Sequence, residues 1–197
     1  AQALGDSLRS CEVAGPGFLN LTMGDSWYAA SLASIHAAGD SFGRGEHGEK
    51  TIVEFVSANP TGPLTAAGGR HAAYGDSLAR ILEFNGDQVA REYYVNDAGA
   101  QVVRLGQSII ARARGEEVPE DGYSGDYVAE LAGQIAGASD GEPEVVAEQG
   151  VQLLIERIRA TLLRYGIEFD DWFSEATLHG DEDSRVRDVC DALQRGG

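Results

Sequence analysis

The chain has 197 residues, a net charge of −17 at pH 7 and a hydrophobic fraction of 43%, values typical of a globular protein with one or two domains. It contains no apolar run near the roughly 20 residues that span a bilayer, and no signal peptide is visible. The acidic excess argues against a nucleic-acid-binding surface formed by the whole chain, although its 15 Lys and Arg residues could form a local patch.

The cysteines and histidines predict neither disulfides nor a metal site. Cys11 and Cys190 lie near opposite ends of the chain and form no CxxC pair, which favours reduced thiols in a cytoplasmic protein. The four histidines lack metal-ligand spacing, so no metal is expected. The chain begins without Met, and we interpret it as starting inside a longer protein.

The first third of the chain predicts a turn and short strand, then a helix. Residues 13–21 form the turn and an alternating strand, and Asp25 or Ser26 begins a helix that Gly39 ends. Residues 40–50 are rich in glycine and charge, which indicates a linker.

A βαβ unit follows the linker. Residues 51–56 are β-branched and aromatic, residues 57–63 form a proline-containing turn, and apolar residues then recur at helical spacing from Tyr74 to Leu82. Residues 88–95 predict a second strand. The crossover predicts parallel strands and an α/β fold. Downstream, apolar patterns predict three further helices, within 102–114, 127–135 and 151–165.

The strand–turn–helix segment from Glu54 to Asp76 is where an α/β protein can bind phosphate, at the carboxyl ends of the strands and a helix N-terminus. It contains neither the GxxxxGK[ST] P-loop nor a GxGxxG motif. The residues by themselves therefore leave two alternatives open, a nucleotide site or an ordinary βαβ turn.

Five collinear segments carry a resemblance to a known family. They are residues 15–20 (GPGFLN), 53–64 (VEFVSANPTGPL), 74–80 (YGDSLAR), 92–99 (EYYVNDAG) and 167–175 (IEFDDWFSE). In this order they resemble bacterial-type arginyl-tRNA synthetases over nearly the whole chain. The resemblance implies ATP-dependent activation of L-arginine and its transfer to tRNA, by a monomeric, cytoplasmic class I enzyme that carries Mg²⁺ on its ATP.

The resemblance also implies a domain organisation. Residues 1–39 would end an α+β N-terminal tRNA-contacting domain with its connecting helix, and residues 40–50 would be the linker. Residues 51–118 would form the first half of a Rossmann-type catalytic domain. Residues 119–197 would be a helical part of the catalytic region or an insertion.

The resemblance implies two sets of site residues. Glu54 is a charge inside an apolar strand, and a ligand guanidinium would offset the cost of burying it, whereas a wet strand end or an internal Arg are the alternatives. The implied arginine-binding residues are Glu54, Ser57, Asn59, Tyr94 and Asp97. Loop capping and core packing are the alternatives for Asp97 and Tyr94.

The family's His-x-Gly-His signature is absent. After Leu64 the chain has Thr65, Ala66, Ala67 and Gly68. We expect an altered ATP site in which the Thr65 hydroxyl, the backbone from Ala66 through Gly69, and the charges of Arg70 and His71 replace the two histidines. The alternative is a paralogue that binds arginine or tRNA without adenylation.

The family's lysine-rich catalytic loop is also missing, because Lys50 is the single lysine of the chain. We therefore expect a truncated part of the enzyme that does not aminoacylate by itself. An arginine- or nucleotide-sensing module is the competing reading.

Overall fold

The computed structural model describes residues 2–179 and 185–196, in two compact units that divide between Glu46 and His47. In the first unit, β1 (Leu8–Ala14) and β2 (Phe18–Met23) form an antiparallel hairpin followed by α1 (Asp25–Ala38). As predicted, α1 ends at Gly39, which has a positive φ of 52°. A short 3₁₀ helix, Gln2–Ser7, precedes the hairpin, and another, Gly39–Ser41, follows α1.

The second unit contains a three-stranded parallel sheet and the remaining helices. The sheet has the order β3 (Lys50–Glu54), β4 (Gln88–Val95) and β5 (Asp171–Ser174). Helix α2 (Ala66–Phe84) connects β3 to β4. The predicted βαβ unit with parallel strands is therefore confirmed, and so is the α/β fold class.

Four further helices complete the described part of the second unit. They are α3 (Ala100–Arg114), α4 (Asp126–Gln134), α5 (Pro143–Arg164) and α6 (Arg185–Gly196). The first three confirm the helices predicted after residue 100. None of the helices described is long and apolar enough to cross a membrane.

One buried cluster joins the sheet to these helices. Val53, Phe55, Tyr93 and Val95 extend from the strands into the same core as the apolar faces of α3, α4 and α5. Two aromatic residues beside β5 continue it: the Tyr93 ring lies 4.3 Å from Trp172 and 5.4 Å from Phe169, centroid to centroid. Burial of these rings holds β5 against β4.

Strand β5 was not among the predicted elements, and it corrects the description of residues 119–197 as helical. Its four residues pair with β4 from Glu92 to Val95, so this range supplies a strand of the sheet as well as helices. The segment is too short, and too mixed in polarity, to show a period of two. Its place in the sheet depends on pairing across more than 70 residues of sequence.

The two faces of the sheet differ in exposure. Val53 and Phe55 point into the core. Ile52, which precedes Val53 on β3 and points to the opposite face, is 68% exposed. Lys50, Thr51 and Ile52 line a shallow cleft of about 460 Å³ together with residues 88–90. Parallel sheets are normally covered on both faces, so this open apolar surface is unusual.

Candidate functional site

The candidate site lies where β3 and β4 end, and its floor is the segment between β3 and α2. Val56 and Ser57 in this segment have positive φ angles of 67° and 42°. Such angles are unfavourable for residues with a side chain, and most of all for a β-branched valine. The surrounding structure must therefore hold this backbone in place.

Side chains and backbone of β4 supply two of the contacts that hold the segment. The Ser57 hydroxyl accepts a hydrogen bond from the Tyr94 backbone N–H at 3.1 Å. The Tyr93 hydroxyl donates to the Ala58 carbonyl at 3.1 Å and lies 3.2 Å from the Ala58 amide, which donates to it. Burial raises the pKa of the Tyr93 hydroxyl, so this residue stays neutral and able to donate.

Glu54 is the last residue of β3, and its side chain is exposed. The prediction of a buried carboxylate that needs a guanidinium partner was wrong on this point, because the strand ends at Glu54 and its outward face is open. Among the described residues, no Lys, Arg or His forms an ion pair with Glu54. The structure shows the alternative, in which Glu54 lies at the solvent-exposed end of the strand.

Carboxylates surround the Tyr94 hydroxyl. Partial burial raises its pKa, and the hydrogen-bonded Glu175 carboxylate and the negative charges of Asp97 and Glu54 raise it further. The structure therefore brings together three of the predicted residues, Glu54, Tyr94 and Asp97, and adds Glu175 to them. The His179 imidazole also contacts Glu175, with 3.6 Å between His179 Nε2 and Glu175 Oε1.

Asp97 has a structural role as well. Its carboxylate accepts hydrogen bonds from the Ser174 hydroxyl at 2.6 Å and from the Ala176 amide at 2.9 Å. The loop-capping alternative is thus observed, because Asp97 caps the short 3₁₀ helix Glu175–Leu178. The same contacts fix Glu175 beside Tyr94.

The Asn59 side chain, also exposed, makes a polar contact on the other side of the segment. Its amide donates to Gln101 Oε1 at 2.8 Å, and Gln101 donates in turn to the Asn96 side chain at 2.9 Å. This chain of amides connects the β3–α2 segment to the start of α3. The Asn59 carbonyl oxygen, which accepts no hydrogen bond from the described residues, remains available to a ligand.

The altered signature forms the first turn of α2 and not a loop before it. Thr65 is the N-cap, and its hydroxyl accepts a hydrogen bond from the Gly68 amide at 3.2 Å. The Gly69 amide donates to the Thr65 carbonyl at 2.9 Å. The Gly68 and Gly69 amides are therefore occupied within the helix and are not free to donate to a phosphate. The earlier amides, those of Ala66 and Ala67, point out of the helix N-terminus.

Gly68 packs closely against the Leu64 side chain. A Cβ atom at this position would lie 2.6 Å from the Leu64 Cδ1 atom, inside the van der Waals limit. At Gly69 the space is open.

The two basic residues of the predicted ATP site, Arg70 and His71, face a cleft. Arg70 and His71 are exposed on α2, and with Phe55, Val56 and Tyr74 they line a cavity of about 500 Å³. The structure therefore places the Arg70 guanidinium and the His71 imidazole beside the strained Val56.

A partly buried ion network holds α2 to β4. Arg91 donates two hydrogen bonds to Glu83, at 2.6 and 2.9 Å, and one to Asp76 at 3.3 Å. The Glu83 hydrogen bonds raise the pKa of Arg91 and lower that of Glu83. Asp76 also accepts from Arg80 at 2.6 Å. This accounts structurally for the charged residues of the 74–80 motif.

Sequence reasoning missed Glu175 and Gln101 as members of the site. Glu175 ended a quoted family segment, 167–175, which was a signal for it, but nothing local indicated its approach to Tyr94. Gln101 lies at the start of a helix and has no sequence signal of its own. Within the described residues, no cluster of His, Cys, Asp or Glu side chains could hold a metal ion.

Comparisons with known proteins agree on one family. No family model matches the chain. The chain is 47% identical to an arginine–tRNA ligase of Kineococcus radiotolerans and 46% identical to one of Frankia alni, over 88% and 87% of its own length. It spans about one third (33%) of the length of these curated relatives.

Solved structures show the same fold. A Campylobacter jejuni crystal structure assigned as an arginyl-tRNA synthetase superposes with a TM-score of 0.73 at 29% identity, over 85% of this chain and 40% of that one. The Plasmodium falciparum arginyl-tRNA synthetase matches with a TM-score of 0.62 at 16% identity, over 96% of this chain and 36% of that one, which bears on the fold alone. The resemblance to arginyl-tRNA synthetases is therefore confirmed, and this chain is homologous to about one third of an arginine–tRNA ligase.

Proposed function

We propose that this chain forms the arginine-binding side of the activation site in an arginine–tRNA ligase. In this reaction the carboxylate of L-arginine attacks the α-phosphate of ATP, which releases pyrophosphate, and the arginyl group is then transferred to tRNA. The observation that carries the proposal is the group of carboxylates around Tyr94 at the carboxyl ends of the strands, in a chain 46–47% identical to arginine–tRNA ligases.

The charge of this group supports arginine as the amino acid. Glu54, Asp97 and Glu175 each act on the same hydroxyl, and no Lys or Arg of the described residues pairs with any of them. A cationic guanidinium would be attracted by the three carboxylates and could form planar hydrogen bonds with one of them. We assign Glu54 and Asp97 to the guanidinium, and Tyr94 to the pocket wall.

The polar residues of the β3–α2 segment suit the other end of the substrate. Ser57 retains a hydroxyl proton to donate, since it accepts from Tyr94 N–H, and Asn59 retains a free carbonyl oxygen. We assign them to the α-carboxylate and α-amino groups of arginine, respectively.

ATP would bind at the N-terminus of α2. The amides of Ala66 and Ala67 and the helix dipole favour an anion there, and the Thr65 hydroxyl can still donate its proton. Gly68 allows the turn to pack against Leu64, while Arg70 and His71 add positive charge from the 500 Å³ cleft. ATP is a substrate here and would carry its own Mg²⁺.

The remaining parts of the proposal concern the whole protein. Residues 51–118 would belong to the first half of a Rossmann-type domain, residues 119–197 to the rest of the catalytic region, and residues 1–39 with linker 40–50 to a tRNA-contacting domain. The whole protein would be a cytoplasmic monomer whose partners are arginine, ATP and its tRNA. The chain alone would not aminoacylate, because Lys50 is its single lysine and it matches about one third (33%) of the length of its relatives.

One observation favours a second function. Thr65, Ala66, Ala67 and Gly68 stand where the family has His-x-Gly-His, so the donors that stabilise the transferring charge are different. A paralogue that binds arginine or tRNA without adenylation would tolerate this change.

The test is ATP–pyrophosphate exchange by the protein that carries this chain together with the regions matching the rest of its relatives. Exchange is measured with L-arginine or L-lysine, with and without arginine tRNA. Arginine-specific exchange is expected. Folded protein that binds arginine but gives no exchange even with tRNA would support the paralogue instead.

Thr65→Ala and His71→Ala variants test the altered signature. Each is expected to slow arginyl-adenylate formation by about tenfold or more, since each removes a donor from the adenylyl site. Unchanged rates in both variants would show that these residues do not replace the missing histidines.

A further inference from the structure

Helix α4, far from the site in sequence, contacts the backbone of the β3–α2 segment. The Tyr127 hydroxyl donates a hydrogen bond to the Thr61 carbonyl at 2.8 Å, across 66 residues of sequence. The Asn59–Gln101 hydrogen bond to the start of α3 is also 2.8 Å long, and hydrogen bonds of 3.1 and 3.2 Å to β4 hold Ser57 and Ala58. Tyr127 therefore anchors the end of the segment that β4 does not reach.

Packing around Tyr127 supports a fixed position for its ring. Tyr127 is half-buried against the core, Thr61 is only 8% exposed, and a Cβ at Gly62 would lie 3.5 Å from the Tyr127 hydroxyl. Burial raises the pKa of this hydroxyl, so it remains protonated and a donor at neutral pH. A single rotamer of Tyr127 thus sets the position of residues 61 and 62 relative to α4.

The segment needs such an anchor because its backbone is strained. Val56 and Ser57 hold positive φ angles of 67° and 42°, a conformation that is unfavourable for residues with a side chain and persists only when the surroundings impose it. Asn59 and the N-cap Thr65 lie on either side of Thr61 in this segment. Movement at Thr61 would displace both.

We infer that Tyr127 is a positioning residue, which holds the β3–α2 segment so that Asn59 and the N-terminus of α2 keep the spacing that arginine activation requires. This inference rests on the proposed function. Tyr127 does not touch the reacting atoms in this account. Its effect passes through the Thr61 carbonyl, and it makes the helical region around α4 a structural part of the activation site.

The test compares Tyr127→Phe with Tyr123→Phe in the whole protein that carries this chain. Both tyrosines line the same cleft of about 360 Å³ behind the segment, but the Tyr123 hydroxyl makes no hydrogen bond with the described residues. Phenylalanine keeps the ring and removes only the hydroxyl, so each variant should fold. The first readout is hydrogen–deuterium exchange of the amides in residues 56–62.

We expect exchange in this segment to be about fivefold to tenfold faster in Tyr127→Phe, and unchanged in Tyr123→Phe. The second readout is arginine-dependent ATP–pyrophosphate exchange, in which Tyr127→Phe should raise the KM for arginine or lower kcat about tenfold per folded enzyme. A merely structural role would lower the melting temperature and leave KM unchanged. Equal protection in both variants, or a looser segment with normal kcat and KM, would overturn the inference.

The failure of the proposed function would look different. In that case the wild-type protein gives no arginine-dependent exchange at all, whereas the hydrogen–deuterium comparison still decides whether Tyr127 holds the segment.

Discussion

Three carboxylates act on one hydroxyl at the end of the sheet, and none of them pairs with a Lys or Arg of the described residues. Glu54, Asp97 and Glu175 all raise the pKa of Tyr94, which means that each places negative charge near it. Asp97 gains two hydrogen bonds from the segment after β5, so part of its charge is stabilised within the chain. Glu54 gains none, and it is therefore the carboxylate best placed to gain from a ligand.

This predicts the effect of Glu54→Gln in the whole protein. The kcat/KM for arginine in ATP–pyrophosphate exchange should fall about tenfold or more, between the effects of exposed and buried ion pairs, mostly through a higher KM. Glu148→Gln, an exposed change on α5, removes the same charge elsewhere and serves as the control. Equal kinetics of the two variants would contradict a guanidinium contact at Glu54.

The His47–Asp87 pair gives a prediction about pH. His47 Nδ1 lies 2.8 Å from Asp87 Oδ1, and the Asp87 side chain is 2% exposed and also accepts from the Glu49 amide. The hydrogen bond with Asp87 raises the pKa of His47 above its usual value. Because the folded-state pKa is the higher one, the pair stabilises the protein fully below the unfolded pKa, and this contribution is lost as pH rises through the folded pKa.

We therefore expect the melting temperature to fall as pH rises from about 6.5, the ordinary histidine value, through the raised pKa of His47. In His47→Gln this decline should be smaller. His36→Gln, on the exposed face of α1, should keep it. A decline of equal size in all three proteins would assign it to other groups.

Residues of the candidate site were predictable to the extent that their neighbours in sequence define them. Ser57, Asn59 and Thr65 follow a strand and precede a helix, so their common location follows from the βαβ pattern. The exposure of Glu54 was not predictable, since an apolar run does not show which residue ends the strand. Glu175 and Tyr127 reach the site only through long-range packing, which no local pattern encodes.

At the scale of elements, strands β2 to β4 and helices α1 to α5 were predicted, whereas strands β1 and β5 and helix α6 were not. Strands β3 and β4 and helices α1 to α5 each carry an apolar pattern long enough to identify. Strands β1 and β5 depend on their partners, since a four-residue strand such as Asp171–Ser174 is defined by its hydrogen bonds to β4. The sheet order β3-β4-β5 was therefore outside what local pattern can give.

Close packing of α3 against α5 depends on two glycines. A Cβ at Gly106 would collide with the Pro143 carbonyl, and one at Gly150 would lie 2.6 Å from Ile109 Cδ1. Because backbone cannot move aside as a side-chain end can, the Gly106 contact is the stricter of the two.

Gly106→Ala is accordingly expected to lower the free energy of unfolding by about 1–3 kcal/mol, as overpacking of a core does. Gly133→Ala in α4 is the matched control. No atom lies within 4 Å of a Cβ there, so the change should be neutral or stabilise by up to about 1 kcal/mol through helix propensity. Denaturant unfolding of both variants decides the point, and equal effects would mean that α3 and α5 can separate at no cost.

At the scale of the whole molecule, the parallel sheet is half-covered. Its inner face packs on the core through Val53 and Phe55, while Ile52 on the outer face is 68% exposed. A parallel sheet is normally buried on both faces. The chain also spans 33% of the length of its curated relatives. The exposed outer face of the sheet and the partial length would have one explanation if regions like those in the rest of the relatives pack on that face.

Substitution within a single strand tests this account. Ile52→Thr keeps the β-branched shape and replaces a methyl-bearing carbon by a hydroxyl, on the open face. In the 197-residue chain alone it should change the free energy of unfolding by no more than about 0.5 kcal/mol, as expected for an exposed site. In the whole protein it should cost about 1–3 kcal/mol, because the hydroxyl would be buried without a hydrogen bond.

Val53→Thr is the control on the same strand, since Val53 is 9% exposed and faces the core in either protein. It should cost about 1–3 kcal/mol in both, which verifies that the chain alone is folded and that the assay detects a buried hydroxyl. If Ile52→Thr were as mild in the whole protein as in the chain alone, the outer face would be open to solvent there too. The regions that match the rest of the relatives would then dock elsewhere, and the exposed Ile52 would need a partner of another kind.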